Sequence, residues 1–212
     1  MKIVKSSASL HITKEDAIVS LKKIERCGRL CYKSEDRITD DSYIKFLSGI
    51  IKRGHLSVIE HGSITVIVTC DRGVSHEIVR HRIGSYSQES TRYVNYSKSG
   101  ITYIQPDFKL TVDDKKIMKD VENHYKKRIK QGLSPERARY FLMNGTKTEI
   151  AMTYNLRQWR HFFDMRGNKG AHPDIRLVAI MILSAMKQTM PVIFDDLEIC
   201  YDNNTIVKRI SE

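Results

Sequence analysis

The sequence predicts an α+β fold on three observations. Ile64, Val66, Val68 and Cys70 alternate with mostly polar neighbours, Thr65 and Thr69 among them, which is the two-residue period of a half-buried strand. Ile150, Met152 and Tyr154 alternate with Glu149, Ala151 and Thr153 in the same way. Other segments, beginning with Ala17, Ile18, Leu21 and Ile24, repeat their apolar residues at the spacing of a helix face. No internal repeat or low-complexity stretch interrupts the chain, so a single domain over residues 1–212 is expected.

Lys2 to Ser6 is expected as a short opening strand. Thr13 can cap the first helix with its hydroxyl. Asp41 or Ser42 starts a second helix, with Tyr43, Phe46, Leu47, Ile50 and Ile51 on its buried face, and it ends before Gly54. The Ile64–Cys70 strand comes next. A short helix over 74–81 then delivers Arg80 to an irregular loop. Asp113 to Lys130 is a long, very charged helix with a solvated outer face. Ser134-Pro135 opens the helix that carries Arg139, with proline in the first turn, where its missing N–H needs no partner. After the Ile150–Tyr154 strand, a helix from Leu156 to Arg166 turns Trp159, Phe162 and Phe163 inward. The last long helix, Asp174 to Thr189, is apolar on most sides and belongs in the core or at a subunit contact.

Hydrophobic residues at 41% and charged residues at 29% fit a soluble globular protein. The net charge of +11 favours an anionic partner: nucleic acid, nucleotide, folate or an acidic membrane surface. Charge alone does not choose among them. The longest apolar run, Leu177 to Met186, falls far short of the ~20 residues of a membrane span. The N-terminal residues hold no apolar segment of signal-peptide length, so a cytoplasmic location is expected. Cys27, Cys31, Cys70 and Cys200 form no Cys-x-x-Cys pair, no metal site is expected, and the thiols of a cytosolic chain stay reduced.

The chemistry concentrates in Arg80-His81-Arg82-Ile83-Gly84-Ser85-Tyr86-Ser87-Gln88-Glu89-Ser90-Thr91-Arg92. Arg80, His81 and Arg82 cannot share one face of a helix or strand, so together they suit the surrounding of an anion. Arginine, serine and glutamine are the donors that phosphate oxygens accept from, and the charge-assisted bonds are the strong ones. On composition alone the run is equally a solvated basic loop.

Arg80-His81-Arg82, seven residues and Ser90, continuing into Thr91-Arg92-Tyr93, resembles the signature of the flavin-dependent thymidylate synthases. Three further blocks fall in that family's order: Gly54-His55-Leu56-Ser57-Val58-Ile59-Glu60-His61, Ala138-Arg139-Tyr140-Phe141-Leu142, and Asn155-Leu156-Arg157 running on to Arg166 and Ala171-His172-Pro173-Asp174-Ile175-Arg176. The resemblance covers roughly residues 20 to 190. It implies a single α+β domain with a mixed or antiparallel sheet and several long helices, assembling as a homotetramer. It also implies methylation of dUMP to dTMP with methylenetetrahydrofolate, FAD and NADPH, and no partnership with nucleic acid or membrane.

By the same resemblance, Glu77, Ile78, Val79, Arg80, Gln88, Glu89, Ser90, Thr91, Arg92, Arg139 and Arg166 would bind dUMP, with Arg139 on the phosphate. FAD would meet Ser57, Arg80, His81, Arg82, Gln88, Asn155, Leu156, Arg157 and His161. His55 and Tyr93 are placed on the folate side, although His55 alone suits a helix-end cap equally well. Arg166 matches the arginine that favours ionisation at the pyrimidine N3. Read alone it is a helix C-terminal arginine that suits the dipole. No Gly-x-Gly-x-x-Gly is present, so a Rossmann-type site is excluded. No cysteine lies near the anion run, so C5 of the uracil would be activated by a cation stabilising charge on N3 and O4. The chain departs from the family pattern at Glu77, Ser87, Gln88, His161 and Gly170. A basic protein that binds nucleic acid through the Arg/His run is the rival class, and it predicts steep salt dependence.

Overall fold

The computed structural model describes residues 1–209 of the chain. The first elements are strands β1 (Lys2–Val4) and β2 (Ser7–Leu10), helices α1 (Lys14–Leu30) and α2 (Ser42–Lys52), and strand β3 (Ser63–Asp71). Helix α3 (Arg72–Ile78), strand β4 (Ser85–Gln88), helix α4 (Tyr96–Ser99) and strand β5 (Thr102–Ile104) follow. Then come helices α5 (Val112–Lys130) and α6 (Pro135–Ala138), strand β6 (Lys147–Asn155), and helices α7 (Leu156–Arg166), α8 (Pro173–Thr189) and α9 (Pro191–Phe194). Strands β7 (Leu197–Cys200) and β8 (Thr205–Lys208) close the described chain. β3 and β6 alternate buried and partly exposed residues over their nine-residue lengths, as their sequence pattern demands. They are the central members of a four-stranded sheet ordered β2-β3-β6-β4. β1 pairs in parallel with β5, and β7 pairs antiparallel with β8.

The residues group into two compact units, each assembled from separate stretches of chain. The first holds Met1–Ser7, Val68–His81 and Tyr86–Ala151, and the second holds Ala8–Ile67, Arg82–Ser85 and the chain from Met152 on. The first unit has a core of Tyr96, Ile101, Tyr103, Leu110, Met118, Tyr125 and Ala138. Its α5 begins with a capping box: the Thr111 hydroxyl accepts from Asp114 N, and the Asp114 carboxylate accepts from Thr111 N. That helix buries Glu122 completely, and the carboxylate is met by Lys119 (2.9 Å), Lys126 (2.8 Å) and the Met1 α-amino group (2.9 Å).

The second unit is built around aromatic rings. Trp159 packs on Tyr154, Phe162 and Phe163, Phe163 packs on Phe194, and the Trp159 indole donates to the Ile64 carbonyl at 3.1 Å. Burying each such side chain is worth roughly 1.5–3 kcal/mol. In α1, Thr13 caps the helix as expected, and Glu25 is buried against Arg29 and the Ser42 hydroxyl at the start of α2. Gly62 is required by a close approach, because a Cβ there would lie 2.6 Å from Ile24 Cδ1 and 3.1 Å from Leu156 Cδ1.

Several expectations are corrected. The opening strand stops at Val4, and β2 follows it. Ile18 lies on the exposed side of α1. The helix expected over 74–81 is α3, two residues earlier at its start, because the Asp71 side chain accepts from Val74 N and caps it. Arg139 is not on the helix opened by Pro135; α6 ends at Ala138 and Arg139 starts a 3-10 turn. Part of the loop expected after Arg80 is β4, whose Ser-Tyr-Ser-Gln sequence offers no apolar alternation. The strands β5, β7 and β8 and the short helices α4 and α9 add to the elements read from the sequence.

Candidate functional site

Of the dUMP candidates, Glu77–Arg80, Gln88–Arg92 and Arg139 lie in the first unit and Arg166 lies in the second. At the end of α3 the chain closes a turn, with Val79 N donating to Ser75 O and Arg80 N to Glu77 O. This leaves Val79 and Arg80 exposed while Ile78 and His81 are buried. The Tyr86 hydroxyl meets the His81 carbonyl and lies 3.1 Å from that of Ile78, which fixes the turn from β4. Ile78 can therefore offer a ligand only its backbone. Glu77 is half-buried on α3.

Gln88 and Glu89 are engaged within the unit. Gln88 Nε2 donates to the Ser75 hydroxyl (2.9 Å) and the Thr148 hydroxyl (3.1 Å). The Glu89 carboxylate accepts from the Tyr96 hydroxyl (2.8 Å) and from Lys147 Nζ (3.1 Å), and its N–H donates to Glu149 O. Burial, and then the Glu89 carboxylate, push the Tyr96 hydroxyl far above its usual range, so it stays a donor. For Lys147 burial alone would lower the pKa, but the Glu149 and Glu89 carboxylates outweigh it and keep the ammonium charged. These two side chains thus brace the loop that follows.

In that loop Ser90 organises a turn. Its carbonyl accepts from Tyr93 N and Val94 N, and its hydroxyl accepts from Arg92 N at 3.3 Å. Thr91 is buried, Arg92 and Tyr93 are exposed, and the Arg92 guanidinium lies over the Tyr93 ring. Arg92 Nε pairs with Glu136 on α6 at 2.9 Å. Arg139 stands three residues beyond Glu136 and is also exposed. The Arg92–Glu136 pair therefore ties the Ser90–Arg92 turn to α6, the helix that leads into Arg139. Sequence reading missed the supports Ser75, Tyr86, Tyr96, Glu136, Lys147 and Thr148. Only Glu136, one turn before Arg139, carried a local signal.

The second unit holds Ser57, Arg82, Asn155, Leu156, Arg157 and His161, together with His55 and Arg166. His55 follows Gly54, whose φ of 71° turns the chain out of α2, and leads into a 3-10 segment, Leu56–His61, that exposes Ser57. Asn155 ends β6 and caps α7 by accepting from Gln158 N at 2.8 Å, so its NH2 is the part left to give a ligand. Leu156 is buried, with its N–H donating to Gly62 O. Arg157 pairs with Glu60 at 2.7 Å and, one turn on, His161 shares its exposed face. The opposite face of α7 buries Trp159, Phe162 and Phe163. Arg166 is the last helical residue and is half-buried. Arg82 is exposed.

Cys70 is fully buried in β3, and burial pushes its thiol up to about 12, which removes it as a nucleophile. Cys27, Cys31 and Cys200 are also free thiols. Among the described residues no group of three His, Cys, Asp or Glu side chains could hold a metal ion.

The sequence profile of the family described as "Thymidylate synthase complementing protein" matches residues 16–192. A flavin-dependent thymidylate synthase from Geobacter sulfurreducens is 33% identical over 198 residues, covering 88% of this chain and 83% of that protein. One from Pyrococcus furiosus is 36% identical over 167 residues, covering 75% and 68%. In fold, the chain is similar to the crystal structure of a UMP/dUMP methylase, PolB, from Streptomyces cacaoi bound with 5-Br dUMP. The TM-score is 0.74 at 20% identity, over 92% of this chain and 96% of that one.

Proposed function

Because the chain belongs to the thymidylate synthase complementing protein family, that of the flavin-dependent thymidylate synthases, we infer that it methylates dUMP to dTMP. Methylenetetrahydrofolate donates the carbon, NADPH is the reductant and FAD is the cofactor. The observation that supports this most is the Arg92–Glu136 pair, which ties the Ser90–Arg92 turn, braced by Glu89, to the α6 segment that leads into Arg139. A phosphate there would accept charge-assisted bonds, each worth roughly 1.5–3 kcal/mol, without a metal. Ser90 has no His–Asp relay in view and acts as a positioning donor. Arg80 is exposed on the turn that ends α3.

The donor set of the second unit fits FAD. Exposed Arg82 and Arg157 would supply cations for a diphosphate, and His161, Ser57 and the Asn155 amide further hydrogen bonds. Bound FAD supplies the redox chemistry, passing reducing equivalents from NADPH. The chain's own task is to make C5 of dUMP nucleophilic. Arg166, preorganised at the end of α7, would stabilise the negative charge that develops on N3 and O4. The buried, protonated Cys70 takes no part. His55 and Tyr93 would face the folate.

The working unit of this reading is one domain over residues 1–212, since the family match runs through both compact units, and it assembles as a cytoplasmic homotetramer. Among the described residues no helix is long and apolar enough to cross a membrane. The test is direct. FAD-reconstituted protein is expected to show oxidised-flavin absorbance, to bleach with NADPH, and to form dTMP when dUMP and methylenetetrahydrofolate are supplied. A protein that cannot be made to bind flavin, or that binds polyanions with a steep salt dependence instead, would sink it.

A further inference from the structure

Arg166 is the last residue of α7, the place where a helix ordinarily frays because its final carbonyls lack intrahelical donors. Here the end is covered. Gly167 N donates to Phe163 O at 2.8 Å, and Gly167 O in turn accepts from Ile206 N, in β8, at 2.7 Å. The approach is so close that a Cβ at position 167 would lie 2.6 Å from Ile206 Cβ and 2.6 Å from the Phe163 carbonyl oxygen. Only glycine fits between Arg166 and the hairpin. Ile206 is buried, and β8 packs on both α7 and α8.

The hairpin is itself anchored at several points. Arg176 of α8 donates to the Asn203 carbonyl in its turn at 3.1 Å. Lys187 Nζ donates to the carbonyls of Phe194, Asp195 and Leu197. The buried Arg160 of α7 makes a bidentate pair with Asp196 at 2.7 and 2.6 Å. The hairpin, residues 197–208, lies beyond the 16–192 span of the family match.

We infer that this C-terminal hairpin positions Arg166, with Ile206 as the residue that clamps the turn on which the guanidinium is mounted. The inference rests on the reading of Arg166 as the polarising cation. A cation contributes in a transition state only if it is already in place, and a residue-scale displacement of such a group lowers turnover more than binding. Ile206 meets the end of α7 at Gly167, so its effect on the guanidinium passes through that turn.

The experiment uses the full-length, FAD-loaded protein and four variants, Arg166→Ala, Ile206→Ala, Ile206→Val and Arg176→Ala, with the double variant Arg166→Ala/Ile206→Ala. For each, kcat and KM for dUMP are measured, and separately flavin bleaching by NADPH without dUMP. Ile206→Ala is expected to lower kcat on the order of ten- to a hundredfold, with dUMP KM and bleaching little changed. Ile206→Val, which keeps the branched contact, should restore most of the rate. The double variant should fall no further than Arg166→Ala alone, since both losses pass through one group. Arg176→Ala, which loosens the hairpin at its turn, should move kcat the same way by less, and it decides the question if Ile206→Ala does not fold. The inference is overturned if Arg166→Ala cuts kcat while the folded hairpin variants leave it intact. It is equally overturned if bleaching drops in step with kcat, which is general damage. If Arg166→Ala itself retains kcat, the catalytic reading of Arg166 fails first and the positioning role falls with it.

Discussion

Arg139 stands exposed in the turn after α6, three residues beyond the carboxylate that pairs with Arg92, whereas Arg166 ends α7 half-buried beneath the hairpin. Their surroundings predict different losses. A phosphate contact is equally present in ground and transition states, so Arg139→Ala should mainly raise the dUMP KM. Charge on N3 and O4 grows as C5 becomes nucleophilic, so Arg166→Ala should cut kcat at saturating dUMP on the order of a hundredfold or more. Arg166→Lys should rescue little, because a point charge lacks the planar fork. An intact kcat in Arg166→Ala with weakened binding would overturn the assignment. The residues from Arg80 to Arg92 that are proposed to face the ligand could be nominated from the sequence because they fall in one short run. Their supports could not be, because Lys147 meets Glu89 from 58 residues away and leaves no local trace.

Helix α5 was expected to be solvated, and one face is. Yet Glu122 sits fully buried in it under three ammonium groups. Burial alone would raise that carboxyl, but the hydrogen bonds from Lys126, Lys119 and the Met1 amine outweigh it and hold it at about 2. A carboxyl held below its ordinary 4.5 stabilises the fold fully above that pH, and the contribution fades as pH falls toward 2. Glu122→Gln should therefore destabilise the protein by roughly 1–3 kcal/mol near neutrality, because Lys119 and Lys126 stay partly solvated when their carboxylate is lost. In denaturant titrations the gap to wild type should shrink steadily below pH 4.5. A gap constant from pH 7 to 3 would show that Glu122 stabilises by shape and not by charge. The long elements were legible because their signals are local: α7 runs from Asn155, its cap, to Gly167, with the limits its sequence set. The β7–β8 hairpin was not, because each strand has only four residues. Its one sequence signal is Asp202-Asn203-Asn204, which ends in a positive φ of 51° at Asn204.

At the scale of the molecule, the tetramer is the expectation to test. Light scattering of the FAD-loaded protein should give the mass of four 24.6 kDa chains. A monomer with full activity would remove the homotetramer from the reading. Each compact unit is stitched from distant stretches, and the parallel pair of β1 with β5 sets Lys2 beside Thr102. That topology gives biosynthesis a timetable. At roughly 5–20 residues per second, the opening strand leaves the ribosome some 5–20 s before its pairing partner does. Neither unit can close until translation has passed Ala151. Until Thr102–Ile104 follow, Ile3 and Val4 stay an unpaired edge on the nascent chain, a template for pairing with any other extended segment.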